Sequence, residues 1–284
     1  MTTKTVPLLM LNNELNRLKQ ESGVKDQEVA DYLGCRGTKI NRILNMTSRP
    51  SVGDVRMMGE AYGASPELIS VMMDLARNLG KKGDWTGYKA VYREAARMLI
   101  DLEAHCDRIR EMRAEIIPGL LQTQNYVRAL TRLPSPFSDS FDEDEIVKAR
   151  RDRQALLERE VNLSFVLSES ALRRVYGDHA VMREQMNRLV DVANMPNVLV
   201  QVLPLASANQ TSYGWLSFAM IHVPGPGIAA PLNLVHLEQY DDERYIDDPT
   251  LVEGYERLWG FLQAAALGPV ESVDFIGEVA EEYS

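Results

Sequence analysis

GVKDQEVADYLGCRGTKINRILNMTSRP, residues 23–50, predicts two short helices joined by a tight turn. Val29 begins an apolar stripe on the first helix. Gly34 follows that helix directly and tolerates the positive φ that a tight turn requires. Ile40 and Ile43, at helical spacing, then predict the buried face of a second helix. Two helices in this arrangement predict a helix-turn-helix unit.

The second helix leaves basic and amide side chains on its outer face. Arginine can bind guanine through two hydrogen bonds, and asparagine can bind adenine in the same way. A helix-turn-helix inserts such a helix into the major groove, so we predict double-stranded DNA as the ligand. The side chains expected to face the bases are Arg36, Thr38, Lys39 and Asn41, and those expected to face the DNA backbone are Arg42 and Arg49.

The distribution of charge favours a local DNA-binding surface on an acidic protein. The whole chain carries a net charge of −10, of which residues 1–80 contribute +1 and the remainder −11. Within residues 36–56, Asp54 is the only acidic residue among five basic ones. A basic face of this kind attracts phosphate where the helix must dock, while the acidic remainder repels DNA. The alternative, a solvated surface with chance clustering, is less favoured beside a helix-turn-helix pattern.

The surrounding sequence predicts an all-helical headpiece. Leucines at helical spacing predict a helix before Gly23, and two amphipathic segments follow Pro50. The second of these begins with Ser65 as N-cap and Pro66 at the first helical position.

The headpiece resembles the Xre or lambda-repressor-like family. The matching residues are Val29-Ala30, Leu33-Gly34, Ile40, Ile43 and Arg49-Pro50-Ser51. The resemblance implies a lambda-repressor-like fold whose second motif helix reads DNA. Members usually open the first motif helix with Ser-Gln, whereas Lys25-Asp26-Gln27 stands here. Asp26 would repel a phosphate, and Gln27 is the residue placed to contact it. Arg36 replaces the family's hydroxyl cap on the reading helix.

A polar, glycine-bearing segment marks the expected domain boundary. The length of 284 residues suggests about two domains. We expect a DNA-binding domain over residues 1–79, a hinge over 80–87, and a partner- or effector-binding and oligomerisation domain over 88–284.

The second domain is expected to be a mixed α/β body with a small sheet and flanking helices, which makes the chain a multidomain α and α+β protein. Apolar residues at helical spacing predict helices over 86–112, 178–193, 247–266 and 269–282. Alternating or β-branched runs predict about four strands, over 163–167, 197–203, 215–223 and 232–237.

The motif Pro118-Gly119-Leu120-Leu121-Gln122-Thr123, followed by Tyr126 and Arg128-Ala129-Leu130, resembles an actinobacterial group of WhiJ-like, antitoxin-like regulators. These place an Xre-type headpiece before this signature. Further matches are Ser170 to Arg174, Met195 to Pro204 and Ala264 to Leu267. The resemblance implies a homodimeric transcription factor whose C-terminal domain binds a partner, often a small companion protein encoded nearby, or a small-molecule effector.

Two interpretations of the body motif stay open. As an architectural joint, Pro118-Gly119 fixes a turn and the following residues satisfy a helix start. As a partner or effector contact, the motif would bind a ligand. Separately, the aromatic residues of the body could line an effector pocket, with a glycine-flanked segment as its mobile mouth, although core packing explains them at least as well. The candidate contact residues are Gln122, Thr123, Tyr126, Tyr213 and Trp215.

The sequence carries no pattern for catalysis, a metal or a cofactor. The four histidines show no metal-ligand spacing with each other or with the two cysteines. Cys35 is expected to be a small buried residue rather than a redox sensor. The low cysteine content and the lack of an apolar run of about 18 residues favour a cytoplasmic protein that is not in a membrane.

Two functions follow from the sequence. The favoured one is a sequence-specific DNA-binding transcriptional regulator whose C-terminal domain binds a partner protein or effector. The alternative is an antitoxin-like interaction protein that sequesters a small companion protein and autoregulates its operon. An enzyme with a DNA-binding leader is disfavoured, because no nucleophile or cofactor signature is present.

Overall fold

The computed structural model describes residues 5–79, 94–134, 142–206, 216–239 and 242–284. The chain divides into two compact units. The first unit combines the N-terminal region with residues 97–105 and 223–232. The second unit contains residues 106–222 and 233–284. The expected hinge over 80–87 lies outside the described residues.

The N-terminal region is all-helical, as predicted. Its helices are α1 (Val6–Ser22), α2 (Asp26–Tyr32), α3 (Gly37–Leu44), α4 (Val52–Ala61) and α5 (Pro66–Asn78). Serine side chains begin the last two helices, because the hydroxyl of Ser51 accepts from the backbone N–H of Asp54 at 3.1 Å and that of Ser65 accepts from Leu68 at 3.2 Å. Each bond satisfies an N–H group that has no partner within its own helix.

One apolar core holds these helices together. The apolar face of α1 buries Leu11 and Leu15 almost completely, and Met58 of α4 and Met72 of α5 pack into the same cluster. Burying a side chain of this size contributes about 1.5–3 kcal/mol.

Two later segments of the chain complete the first unit. Helix α6 (Glu94–His105) supplies Asp101, whose Oδ2 accepts from the backbone N–H of Val6 at 3.0 Å. Thr5, the N-cap of α1, makes no capping bond with its own side chain. Asp101, which is 95 residues away in the sequence, therefore takes the place of the N-cap side chain of α1. Residues 223–232 contribute Ala230, whose N–H donates at 3.1 Å to the fully buried carboxylate of Glu14.

The second unit is built on a mixed sheet of six strands, counted over the described part of the chain. The strands are β1 (Arg108–Arg113), β2 (Asn162–Ser168), β3 (Val198–Leu203), β4 (Phe218–Val223), β5 (Leu232–Glu238) and β6 (Glu243–Ile246). Their order across the sheet is β3-β2-β1-β4-β5-β6. Parallel pairs join β1 to β2 and β2 to β3, whereas β1 pairs with β4, and β5 with β6, in antiparallel fashion. The mixed α/β body is thus confirmed.

Two details of the predicted body were wrong. The helix expected over 86–112 ends at His105, and residues 108–113 form the strand β1 at the centre of the sheet. Ile109 and Met112 fit a helical stripe, but in the strand they point to opposite faces and are both buried. The short strand β6 was also missed, because Glu243 to Ile246 carries little alternation.

The remaining helices flank the sheet. They are α7 (Gln124–Thr131), α8 (Glu143–Arg153), α9 (Glu169–Arg173), α10 (His179–Ala193), α11 (Pro249–Ala265) and α12 (Pro269–Glu282). Trp259 and Leu262 of α11 pack with Met112 and Val166 in the core on one face of the sheet. Over the described part of the chain, none of the helices has the length and apolar content needed to cross a membrane.

We expect Asp101→Ala to destabilise the protein. The substitution leaves the buried N–H of Val6 without an acceptor, which costs about 1–3 kcal/mol of unfolding free energy. Urea denaturation of the full chain measures the change. Asp191→Ala, which removes an exposed aspartate from α10, is the matched control. Equal denaturation midpoints for the two variants would contradict the capping role of Asp101.

Candidate nucleic-acid interface

The turn between α2 and α3 has the predicted helix-turn-helix form. Leu33 to Arg36 separate the two helices, and Gly34 adopts a φ of +63°. The N–H of Cys35 donates to the carbonyl of Ala30 at 2.9 Å, which closes the end of α2. A residue with a Cβ would be strained at Gly34, so glycine suits this turn.

Burial divides α3 into an inner and an outer face. Ile40 and Ile43 lie in the helical core, with Val29 and Ala30 of α2 packed into the same cluster. Leu44 is buried in the same cluster, and the side chains of Thr38, Lys39, Asn41 and Arg42 are exposed to solvent. Cys35 is half-buried and packs against the edge of this core.

Asn12 of α1 anchors the C-terminal end of α3. Its amide Nδ2 donates to the carbonyl of Leu44 at 2.8 Å and to that of Ile43 at 3.3 Å. The last carbonyl groups of a helix lack partners within the helix, and here they are buried. Asn12 is itself only 6% exposed, so this contact fixes where α3 ends relative to α1.

Sequence reasoning missed Asn12, although a signal was present. Asn12 lies four residues after Leu8 and three before Leu15, which places its polar side chain within the apolar stripe of α1. A polar residue at a core position must find hydrogen bonds, and a neighbouring helix end can supply them.

The predicted DNA-contacting residues are all exposed. Thr38, Lys39, Asn41 and Arg42 belong to α3, and Arg36 is its N-cap. Gln27 lies in the first turn of α2, and its side-chain oxygen would lie 3.3 Å from a Cβ at Gly37, at the start of α3. The exposed set is Gln27, Arg36, Thr38, Lys39, Asn41, Arg42 and Arg49.

Lys39 is held by an acidic neighbour. Its Nζ lies 2.5 Å from Oδ1 of Asp54, at the start of α4. The other oxygen of Asp54 accepts from the N–H of Ser51 at 3.0 Å. Partial burial raises the pKa of Asp54, but the bonds from Lys39 and Ser51 outweigh burial and hold that pKa below its usual value. Asp54 is therefore charged at neutral pH and competes for Lys39.

Asp26 is also neutralised within the headpiece. Its Oδ1 lies 2.5 Å from Nζ of Lys19, on α1. An aspartate at the start of α2 would repel a phosphate, and this ion pair reduces that repulsion. The Lys25-Asp26-Gln27 departure from the resembled family is thus compatible with an anion near α2.

Arg36 and Arg42 keep their charges available. Within the described part of the chain, neither guanidinium forms a salt bridge or a side-chain hydrogen bond. Both side chains are exposed. Two unpaired arginines on the outer face of a rigid helix can bind phosphate or base edges without first breaking an internal ion pair.

The body motif forms a joint in the interior of the second unit. Gln122 donates to the carbonyl of Ile117 at 2.7 Å, and Tyr126 is fully buried, where burial raises the pKa of its hydroxyl. The Thr123 hydroxyl caps α7 by accepting from the N–H of Tyr126 at 3.2 Å. These contacts favour the architectural interpretation for Gln122 and Tyr126.

The absence of a side chain at Gly119 gives room for a neighbouring side chain to pack. The guanidinium of Arg150 lies against Gly119 so closely that a Cβ at this position would require the arginine side chain to move. The amide of Gln185 binds the backbone next to this point, donating to the carbonyl of Leu121 at 2.9 Å and accepting from the N–H of Thr123 at 2.7 Å. The other two candidate contacts, Tyr213 and Trp215, lie outside the described residues.

Several titratable residues in the sheet lie beside a partner. Burial opposes the charge of Arg113, but Glu111 and Glu238 beside it outweigh burial and raise its pKa. His222 lies 2.5 Å from Asp107, and His236 lies 3.0 Å from Glu243. Among the described residues, no three His, Cys, Asp or Glu side chains are grouped as a metal site requires.

Comparison with known families gives two matches. A family model described as "Helix-turn-helix domain" matches residues 11–71. A second, described as "Domain of unknown function (DUF5753)", matches residues 96–278. The second match covers more than half of the chain, so the chain belongs to the DUF5753 family. Searches of curated proteins and of solved structures returned no match.

We expect Asn12→Ala to destabilise the first unit. The substitution removes the 2.8 Å bond to the carbonyl of Leu44, which keeps only a 3.4 Å bond from Asn16, and removes one of two donors to the carbonyl of Ile43, which keeps the N–H of Met46. We expect a loss of about 0.5–1.5 kcal/mol of unfolding free energy. Asn45→Ala removes an exposed amide that bonds only within its own helix end and serves as the control. If urea denaturation shows the same loss of unfolding free energy for both variants, Asn12 does not anchor α3.

Proposed function

We propose that this member of the DUF5753 family is a sequence-specific DNA-binding transcriptional regulator of the Xre type. The observation that carries the proposal is the outer face of α3. Its inner face is fixed by Ile40 and Ile43, and its N-cap Arg36 and its outer residue Arg42 form no ion pair with any residue that the structure describes. The helix-turn-helix match over residues 11–71 supports DNA as the ligand.

In the proposed complex α3 lies in the major groove. The first residues of a reading helix reach the base edges. Arg36, at the N-cap, and Thr38 and Lys39, in the first turn, occupy these positions. Asn41 lies three residues after Thr38 and can bind adenine through its amide.

Backbone contacts position the reading helix. Arg42 and Arg49 supply positive charge beyond the base-reading residues, and we assign both to phosphates. Gln27 at the start of α2 can donate to a phosphate after releasing Asp31, which now accepts from its Nε2 at 2.8 Å.

The finer assignments rest on the sequence resemblance to WhiJ-like, antitoxin-like actinobacterial regulators. We propose a homodimer whose C-terminal domain binds a small companion protein or a small-molecule effector and has no catalytic activity. Tyr213, Trp215 and Thr123 remain the candidate contacts. A regulator of chromosomal DNA works in the cytoplasm, which is the location we propose.

Replacing Arg42 with alanine should weaken binding to the DNA upstream of the protein's own gene. Loss of a phosphate contact should lower affinity about equally for specific and unrelated DNA, and should reduce the slope of log K against log salt by about 0.9. Fluorescence anisotropy across a salt series measures both. Arg183→Ala, which removes an exposed arginine from α10, is the control. An unchanged affinity and slope would remove Arg42 from the interface.

Replacing Asp54 with asparagine should strengthen DNA binding. The amide oxygen can still accept from Ser51, but the ion pair with Lys39 is lost and Lys39 becomes free to bind DNA. We expect a gain of about threefold to tenfold at low salt, because the charge of Lys39 is no longer compensated by an internal partner. Lys39→Ala in the same background should abolish the gain. Weaker binding by Asp54→Asn would instead show that Asp54 positions Lys39 for DNA.

A further inference from the structure

The loop that joins β4 to β5, residues 224–231, belongs to the first unit. The N–H of Ala229 donates to the carbonyl of Pro226 at 3.1 Å, which closes a tight turn. A Cβ at Gly225 would lie 2.0 Å from the carbonyl oxygen of Ala229. Because this neighbour is backbone, it cannot give way without a change in the course of the chain. Glycine at position 225 is therefore required for the conformation of the β4–β5 loop.

The β4–β5 loop packs against the helical core of the first unit. Ala229 contacts this core, and a Cβ at Gly227 would lie 3.3 Å from Cγ2 of Val71, on α5. Gly227 also adopts a φ of +59°, which disfavours a residue with a side chain. The loop is thus held both by its own turn and by the helices beneath it.

The β4–β5 loop supplies a donor to a buried carboxylate of α1. Glu14 is fully buried, and its Oε1 accepts from Nε of Arg17 at 3.2 Å, whereas its Oε2 accepts from the N–H of Ala230 at 3.1 Å. In the described part of the chain, Ala230 is the only donor bonded to Oε2. A buried charged oxygen without a donor is unfavourable, so this bond ties the loop to α1. The adjacent Asn13 adds a second bond, from its side-chain amide to the carbonyl of Pro231 at 3.4 Å.

The same turn of α1 holds the end of the reading helix α3. Asn12, two residues before Glu14, donates to the carbonyl of Leu44 at 2.8 Å and to that of Ile43 at 3.3 Å. Residues two positions apart lie about 200° apart around a helix. This turn of α1 therefore lies between the end of α3 and the β4–β5 loop and contacts both.

We propose that the β4–β5 loop positions the reading helix through residues 12–14 of α1. The loop continues directly from β4 into β5, which are neighbouring strands of the sheet. A partner or effector that favours one arrangement of these strands would thereby shift the loop, Glu14 and the end of α3. The inference rests on the regulator proposed above and adds the route by which its C-terminal domain acts on DNA binding. Glu14 is thus a positioning residue, since it acts on DNA through α1 and α3.

The first test measures hydrogen–deuterium exchange of the full chain without DNA. Gly225→Ala places a Cβ against the carbonyl of Ala229 and should open the β4–β5 loop. We expect amide exchange to rise about threefold or more in the loop and at the end of α3, residues 42–46, because exchange reports local stability. Gly254→Ala, in α11, is the matched control, since a Cβ there meets no atom within 4 Å in the described part of the molecule. Faster exchange in the loop without a change in α3 would overturn the proposal.

A second variant perturbs the same contact from α1. Glu14→Gln leaves one side-chain oxygen to accept from both Arg17 and Ala230, and its amide brings a donor against one of them. Glu21→Gln is the control, because Glu21 also pairs with Arg17, at 2.7 Å, but makes no hydrogen bond to the described loop. We expect faster exchange at the end of α3 for Glu14→Gln alone, and circular dichroism verifies that both variants fold. Unchanged exchange there in both Gly225→Ala and Glu14→Gln, or an equal rise in Glu21→Gln, would overturn the proposal.

DNA binding separates positioning of α3 from general destabilisation. Specific binding needs base contacts that depend on the orientation of α3, whereas unrelated DNA is bound through its phosphates. Gly225→Ala should therefore lower the ratio of the affinities for the upstream DNA and for unrelated DNA about threefold or more. Fluorescence anisotropy measures both affinities, with Gly254→Ala as the control. An equal loss of affinity for the two DNAs would contradict the positioning role.

Failure of this inference can be told apart from failure of the proposed function, because the exchange experiments contain no DNA. A protein that binds its upstream DNA specifically, but whose α3 exchanges independently of the loop, would refute the loop's role and leave the regulator. A protein whose loop variants alter α3, but which binds no DNA, would refute the regulator and leave the link between the loop and α3.

Discussion

Presentation of α3 depends on how its buried side and its C-terminal end are held. Ile40 and Ile43 place one face in the helical core, and Asn12 satisfies the carbonyl groups of Ile43 and Leu44. Apolar burial alone permits a helix to rotate or slide slightly, whereas hydrogen bonds to its last carbonyls are directional. Together they set which residues of α3 face outward, and every proposed base contact follows from that orientation.

The first unit is not made of N-terminal residues alone. Asp101 caps α1, and Ala230 donates to the buried carboxylate of Glu14, which also pairs with Arg17. Both Asp101 and Ala230 belong to the segment that matches the DUF5753 family. A helix-turn-helix that shares its packing with that segment can respond to changes there. A ligand would have this effect only if it favoured one arrangement of these contacts over another.

Local signals in the sequence were sufficient to predict much of the fold. Serines and aspartates marked helix starts, Gly34 marked the turn, and isoleucines at helical spacing marked the inner face of α3. Such features act within a few residues, so they can be recognised without the tertiary structure. The outward position of Thr38, Lys39, Asn41 and Arg42 followed from the same periodicity.

Features that depend on distant residues were missed. The strand β1 was predicted as helix, because Ile109 and Met112 fit both the helical and the strand periodicity. Its strand conformation comes from pairing with β2 and β4. The capping of α1 by Asp101 joins residues 95 positions apart. The pairing of Lys39 with Asp54 likewise depends on how α3 meets α4. Residue patterns along a chain do not specify such long-range contacts directly, because tertiary packing determines which elements come together.

The most direct test of the central claim compares two DNA fragments of equal length in a mobility-shift assay with increasing salt. One fragment is the region upstream of the protein's own gene, and the other is an unrelated sequence. A reading helix predicts that the complex with the upstream fragment survives at salt concentrations that dissociate the unrelated one, since base contacts add to the salt-sensitive phosphate contacts. Loss of both complexes at the same salt concentration, or no complex at all, would contradict the account.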